Sequence, residues 1–123
     1  MDDPRSFLPL TPQRFHILLA LTDGARHGYG IILDIEERTA GGLRLGTGTL
    51  YTALGRLLED ELIVESGRRP RAADDDARRR YYALTPFGRS VLEAEAARLE
   101  ALLRHTRRKG ILPARRPALS RSR

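Results

Sequence analysis

A chain of 123 residues with 41% hydrophobic and 31% charged side chains has the size of one domain, too short for a catalytic barrel or a two-lobed enzyme. It contains no cysteine, which excludes a disulfide framework, a thiolate zinc site and a thiol nucleophile. The formal net charge of +6 belongs to the end of the chain, because eight basic residues and no acid follow position 103, leaving 14 basic against 16 acidic side chains before it.

Residues 1–9 carry prolines and aspartates and are expected to form a flexible N-terminal segment. The opening MDDPRS is acidic rather than a basic signal region, and no apolar run reaches the roughly 18 residues of a membrane span, so the expected compartment is the cytoplasm. Thr11-Pro12 reads as an N-cap followed by proline at the first helical position, where its missing N–H costs nothing. Behind it Phe15, Leu18, Leu19 and Thr22 share a face that Ile17 and Leu21 widen, and Asp23-Gly24 is the expected stop.

A second helix is expected from about Gly28 through Ile31, Ile32 and Ile35 to Thr39, ending at Gly41-Gly42. A short extended piece, Leu43–Leu45, leads to a third helix from about Gly48 to Asp60, with Leu50, Leu54, Leu57 and Leu58 on its inner side. Gly55 within it weakens the helix by about 1 kcal/mol relative to alanine. Two strand-like runs follow, Leu62–Glu65 and Arg80–Leu84, joined by a long connection rich in Gly, Pro, Arg and Asp. That connection holds two arginine clusters, Arg68, Arg69 and Arg71, then Arg78, Arg79 and Arg80, on either side of Asp74, Asp75 and Asp76.

Thr85-Pro86 repeats the device of Thr11-Pro12 and opens the longest helix, over 86–109. Leu92, Ala96, Leu99 and Leu103 alternate by four and three along it, a short coiled-coil-like seam. Gly110 and Pro113 end the helix, and 110–123 reads as a disordered basic tail. The fold class is therefore mainly α with a small β-hairpin. Three helices followed by a hairpin is the order of a winged helix-turn-helix domain over 10–85, with one long C-terminal helix appended.

Catalysis finds little support. His16, His27 and His105 fall on three different elements with no paired metal spacing. Gly46-Thr47-Gly48 lacks the Gly-Lys-Ser/Thr of a phosphate loop, and no nucleophile stands beside a base. The chain is read as a non-enzyme with no metal and no cofactor.

The start of the third helix is the candidate reader of nucleic acid. Thr47, Thr49, Tyr51 and Thr52 are small or aromatic donors near a helix N-terminus, where free backbone N–H groups also favour phosphate. Arg56, one turn on, has the planar fork that suits guanine or backbone. The competing roles are capping for Thr47 and Thr49 and inward packing for Tyr51. Tyr29 offers a hydroxyl to phosphate, whereas His27 reads as a cap of the second helix. Arginines around the long connection would act as the wing.

These stretches together resemble the PadR-like family of winged-helix transcriptional regulators over about residues 9–109. The resemblance rests on Leu10-Thr11-Pro12 with Phe15–Leu21, His27-Gly28-Tyr29-Gly30-Ile31, and Leu45–Tyr51 with Leu54 and Arg56-Leu57. It continues through Leu62-Ile63 and Arg79–Gly88. It implies a homodimer on double-stranded DNA at an inverted-repeat operator, usually as a repressor. DNA contacts would come from Tyr29, Thr47, Thr49, Tyr51 and Arg56, with Arg68, Arg69, Arg79 and Arg80 of the wing. The single helix 86–109 would be the dimerisation arm, paired through Leu92, Ala96, Leu99 and Leu103. The sequence departs from the family at Thr47, where members often carry proline, and at Glu61, where they often carry glycine. No effector is named, since Phe87 is the only aromatic residue of the long helix. The alternative function is a winged-helix protein-interaction module whose basic tail binds polyanions without sequence preference.

Overall fold

The computed structural model describes residues 3–67 and 79–114. Arg68, Arg69, Arg71 and Arg78, the aspartates 74–76 and the tail from 115 onward lie outside the described residues. A 3-10 turn at Pro4–Phe7 precedes α1 (Pro12–Ala20), β1 (Arg26–His27), α2 (Gly28–Arg38), α3 (Thr47–Glu59), β2 (Ile63–Ser66), β3 (Tyr81–Leu84) and α4 (Pro86–Arg108). Among the described residues, four α-helices and a small antiparallel sheet make the fold mainly helical.

Local chemistry sets the helix starts. The Thr11 hydroxyl accepts the Arg14 N–H and the Thr85 hydroxyl accepts the Gly88 N–H, each with proline next in the chain. His27 starts α2 in the same way, its ring nitrogen accepting the Gly30 N–H at 3.0 Å. Gly46 starts α3 without any side-chain cap, so Thr47 and Thr49 are not spent on capping.

The helix ends share another device. After α2 the Ala40 N–H reaches Glu37 O and the Gly41 N–H reaches Glu36 O; after α3 the Glu61 and Leu62 N–H groups reach Leu58 O and Leu57 O. After α4 the Gly110 and Ile111 N–H groups reach Arg107 O and Thr106 O. Each is a Schellman closure, which needs a left-handed residue just past the helix. Glycine fills that place only after α4; Ala40 and Glu61 adopt φ of 51° and 62°. A side chain there costs about 1–2 kcal/mol in local sterics, so the packing around these turns overrides the preference.

The sheet order is β1-β3-β2, all antiparallel. β2 and β3 form the wing hairpin, with Ile63 opposite Leu84 and Ser66 opposite Tyr81. Its third strand is Arg26–His27, set against Tyr82 and Tyr81, whereas Leu43–Leu45 joins no strand. Below the sheet the helices bury one core: Ile17 and Leu18 of α1, Ile31 and Ile35 of α2, Leu50, Leu54 and Leu57 of α3, and Val91 and Leu92 of α4. Burying each such side chain contributes about 1.5–3 kcal/mol.

Polar contacts at its start and further along help fasten α4 to this body. Its first turn rides on the backbone after α3: the Leu62 carbonyl accepts the Thr85 N–H at 3.1 Å, and the Thr85 hydroxyl lies 2.7 Å from the Glu61 carbonyl oxygen and 3.0 Å from that of Leu62. Further along, Glu95 is 2% exposed and accepts the Leu10 N–H at 3.1 Å. Arg98 grips the same carboxylate with two nitrogens, at 2.6 and 2.9 Å. The Arg98 hydrogen bonds hold the Glu95 carboxyl below the usual carboxylate range, against its burial. Glu95 thus ties the N-terminal segment to the long helix.

Candidate nucleic-acid interface

The sequence of α3 gives it two faces. Leu50, Leu54 and Leu57 turn inward at i, i+4 and i+7 and are buried. Thr49, Thr52 and Arg56, at i, i+3 and i+7, form the opposite stripe and are exposed, as is Thr47 at the first turn. Tyr51 stands to one side of that stripe and is 47% exposed, which settles its orientation against inward packing.

Each flank of the stripe borders a depression. On one side Thr49, Thr52 and Arg56 line a cavity of about 460 Å³ together with Thr11, Gln13 and Arg14 from the start of α1. The fold thus places a glutamine and an arginine beside this exposed stripe. Sequence reasoning missed both, since nothing local distinguishes them from ordinary first-turn residues.

On the other side a cavity of about 400 Å³ is lined by His27, Tyr29, Tyr51, Arg79, Arg80 and Tyr82. Tyr51 reaches it because Gly28 has no side chain: a methyl group there would lie 2.9 Å from Tyr51 Cζ and nearer still to the hydroxyl. Arg79 Nη1 is 2.8 Å from His27 Nε2, and Arg80 pairs with Glu65 at 3.5 Å. Burial pushes the Tyr82 hydroxyl above its ordinary value, so it stays neutral. Thus Tyr29, Tyr51, Arg79 and Arg80 converge on one flank, Thr49 and Arg56 on the other, and Thr47 sits at the tip. Arg68 and Arg69 lie outside the described residues.

The expected seam of α4 needs correction. Leu92 is 6% exposed and packs into the chain's own core, so it has almost no surface to give a second chain. Ala96 is exposed, Leu99 half-buried, and Leu102 and Leu103 are 47% and 44% exposed. The apolar surface of the helix therefore begins a turn later than the heptad spacing indicates and includes Leu102.

Among the described residues no group of three or more His, Cys, Asp or Glu is placed to hold a metal ion. No helix among them is long and apolar enough to cross a membrane.

A family model described as the transcriptional regulator PadR-like family matches residues 17–94. The chain is 37% identical over 91 residues to the transcriptional regulator Rv3488 of Mycobacterium tuberculosis, covering 74% of this chain and 78% of that protein. It is 44% identical over 80 residues to an uncharacterized 37.1 kDa protein in transposon TN4556 of Streptomyces fradiae. That match covers 65% of this chain but spans only 21% of the relative's length. Among solved structures, Bacillus subtilis PadR in complex with operator DNA has a similar fold, with a TM-score of 0.57 at 21% identity. The similarity covers 70% of this chain and 47% of that one.

Proposed function

Since the chain belongs to the PadR-like family of transcriptional regulators, we propose that it is a cytoplasmic homodimeric repressor that reads an inverted-repeat operator through α3. Residues 10–85 form the reading unit and 86–109 the dimerisation arm. The observation that carries this reading is the exposed stripe of Thr49, Thr52 and Arg56 opposite the buried leucines of α3. Such a face fits the major groove: threonine meets a base-edge acceptor or a thymine methyl, and the arginine fork meets guanine. Thr47 and the α3 N-terminus then face backbone or the first base, and the two flanking depressions meet the strands bordering the groove.

In this reading Ala96, Leu99, Leu102 and Leu103 of two chains pack together and hold the two α3 helices about 34–36 Å apart, one turn of B-form DNA. The half-exposed leucines at 102 and 103 support such a partner, since a second copy offers a matching surface.

Substituting Thr49 or Arg56 by alanine tests it. Removing a base-edge interaction costs about 1–3 kcal/mol, and the weakening is expected on operator DNA and not on random DNA. Equal weakening on both would demote these residues to phosphate anchors; unchanged binding on both would refute the assignment.

A further inference from the structure

Away from the exposed stripe of α3, a chain of polar contacts runs along the seam between α1 and α2. Arg38, the last residue of α2, reaches back to α1. Its Nη1 lies 2.6 Å from His16 Nδ1, and its Nη2 donates to the His16 carbonyl at 3.4 Å. Asp34, one turn earlier on α2, accepts from the same guanidinium and pairs with Arg26 of β1 at 3.6 Å. Arg26 in turn donates to the Ala20 carbonyl at the end of α1, at 2.8 Å.

A guanidinium carries five donors, no acceptor and a permanent charge. The 2.6 Å contact therefore needs the lone pair of His16 Nδ1, which leaves the ring neutral with its proton on Nε2. A second proton would set an Nδ1–H against the Arg38 N–H. It would also add a third cation to Arg26 and Arg38, which share the Asp34 carboxylate. The other elements packed on α1 direct their charges elsewhere. Arg56 of α3 shares a cavity with Arg14, while Arg89 and Glu95 of α4 hold the Thr22 carbonyl and the Leu10 N–H. Partial burial and the Arg38 charge accordingly hold the His16 imidazole below its ordinary range.

We propose that His16 and Arg38 form a proton-operated clasp between α1 and α2, closed while the ring is neutral and released when it takes up a proton. Residues 39–46, directly after Arg38, lead to the start of α3. Release frees the end of α2 that anchors this connection, so acid loosens the placement of α3 on the body. That consequence for DNA rests on the DNA-binding reading above; the clasp itself does not. The ring binds a proton more weakly in the folded chain than in the unfolded one. The clasp's contribution is thus complete above the ordinary imidazole value near about 6.5 and is lost as pH falls through the lower folded value.

His16→Gln keeps an acceptor for Arg38 yet takes no proton, and Arg38→Gln removes the cation and leaves the ring. The full-length wild type and both variants are compared between about pH 7.5 and pH 5, which spans the ordinary imidazole titration. An NMR titration of the His16 ring, assigned by the resonance missing from His16→Gln, should give a lower midpoint in the wild type than in Arg38→Gln. Over this range the wild-type melting temperature should fall by at least about 2 °C more than that of His16→Gln. His27 and His105 are common to both chains and cancel in that difference. Wild-type affinity for a random-sequence duplex should fall about threefold relative to His16→Gln as the binding-competent population shrinks. Equal midpoints, or melting temperatures that fall in parallel, overturn the clasp. A working clasp with a constant affinity ratio overturns its coupling to DNA. A wild type that binds no duplex at either pH overturns the DNA reading, while the first two measurements still judge the clasp.

Discussion

Two glycines in similar helical positions should respond to the same substitution in opposite ways. Gly28 opens α2 and Gly88 lies in the first turn of α4. At Gly88 a methyl group would come within 2.9 Å of the Leu62 carbonyl carbon, closer still to its oxygen, and within 3.0 Å of Leu84 Cδ1. Ordinary contact begins near 3.4 Å, and the Leu62 carbonyl is held by the Thr85 backbone N–H. Gly88→Ala must therefore move backbone, and overpacking of that kind costs about 3 kcal/mol. The corresponding fall in melting temperature is about 15 °C.

At Gly28 the obstacle is the Tyr51 ring end, 2.9 Å from the added methyl at Cζ, with Leu50 Cδ2 at 3.2 Å. Tyr51 is half exposed and has solvent to swing into. The gain in helix preference from glycine to alanine, up to about 1 kcal/mol, offsets part of the displacement. Gly28→Ala is thus expected to melt within about 5 °C of wild type. It should bind DNA about tenfold more weakly, because a displaced Tyr51 hydroxyl gives up a hydrogen bond to a charged acceptor worth about 1.5 kcal/mol. Circular-dichroism melting and anisotropy titration measure the two quantities on one preparation. A Gly28→Ala chain as unstable as Gly88→Ala, with wild-type DNA affinity, would refute this account of the Tyr51 flank.

Glu61→Gly should raise stability by about 0.5–1 kcal/mol, because it relieves a left-handed side chain at the cost of some unfolded-state entropy; urea titration showing no gain would contradict it. Glu95 has a folded pKa below its unfolded value, so its contribution is complete above the ordinary carboxylate range near about pH 4.3 and disappears as pH falls through the lower folded value. Glu95→Gln should accordingly be less stable than wild type at neutral pH, with the gap closing on acidification, and a gap independent of pH would refute the linkage.

What the sequence reveals and what it hides divide along a physical line. Thr11-Pro12 and Thr85-Pro86 announce helix starts because the caps act over three residues. The two faces of α3 are legible because a helix sorts its own residues with a period of 3.6. β1 is hidden: two residues are too few to show alternation, and its partners Tyr81 and Tyr82 lie far along the chain. The ends of α2 and α3 fall within a residue of the expected Thr39 and Asp60, but the left-handed residues that close them are hidden. Ala40 and Glu61 stand where glycine is the usual mark, and tertiary packing sets their backbone.

The interface divides in the same way. Thr49, Thr52 and Arg56 share a face that helical spacing reveals, whereas the orientation of Tyr51 depends on Gly28 beside it, and Gln13 and Arg14 join that face only through the approach of α1 to α3. Leu92 shows the limit of periodicity. The same heptad position serves the chain's own core at one turn and outer surface further along, depending on where the body beneath α4 ends.

The pairing of two α3 helices at the pitch of DNA is most directly tested by measuring affinity against half-site spacing. An inverted repeat found upstream of the coding region is titrated with the full chain, at its native spacing and with half a helical turn inserted between the halves. The account predicts two chains per duplex at native spacing and a preference of at least about 10³ over scrambled DNA at physiological salt, abolished by the half-turn insertion. Affinity indifferent to the spacing, or a single chain bound per duplex, would contradict it.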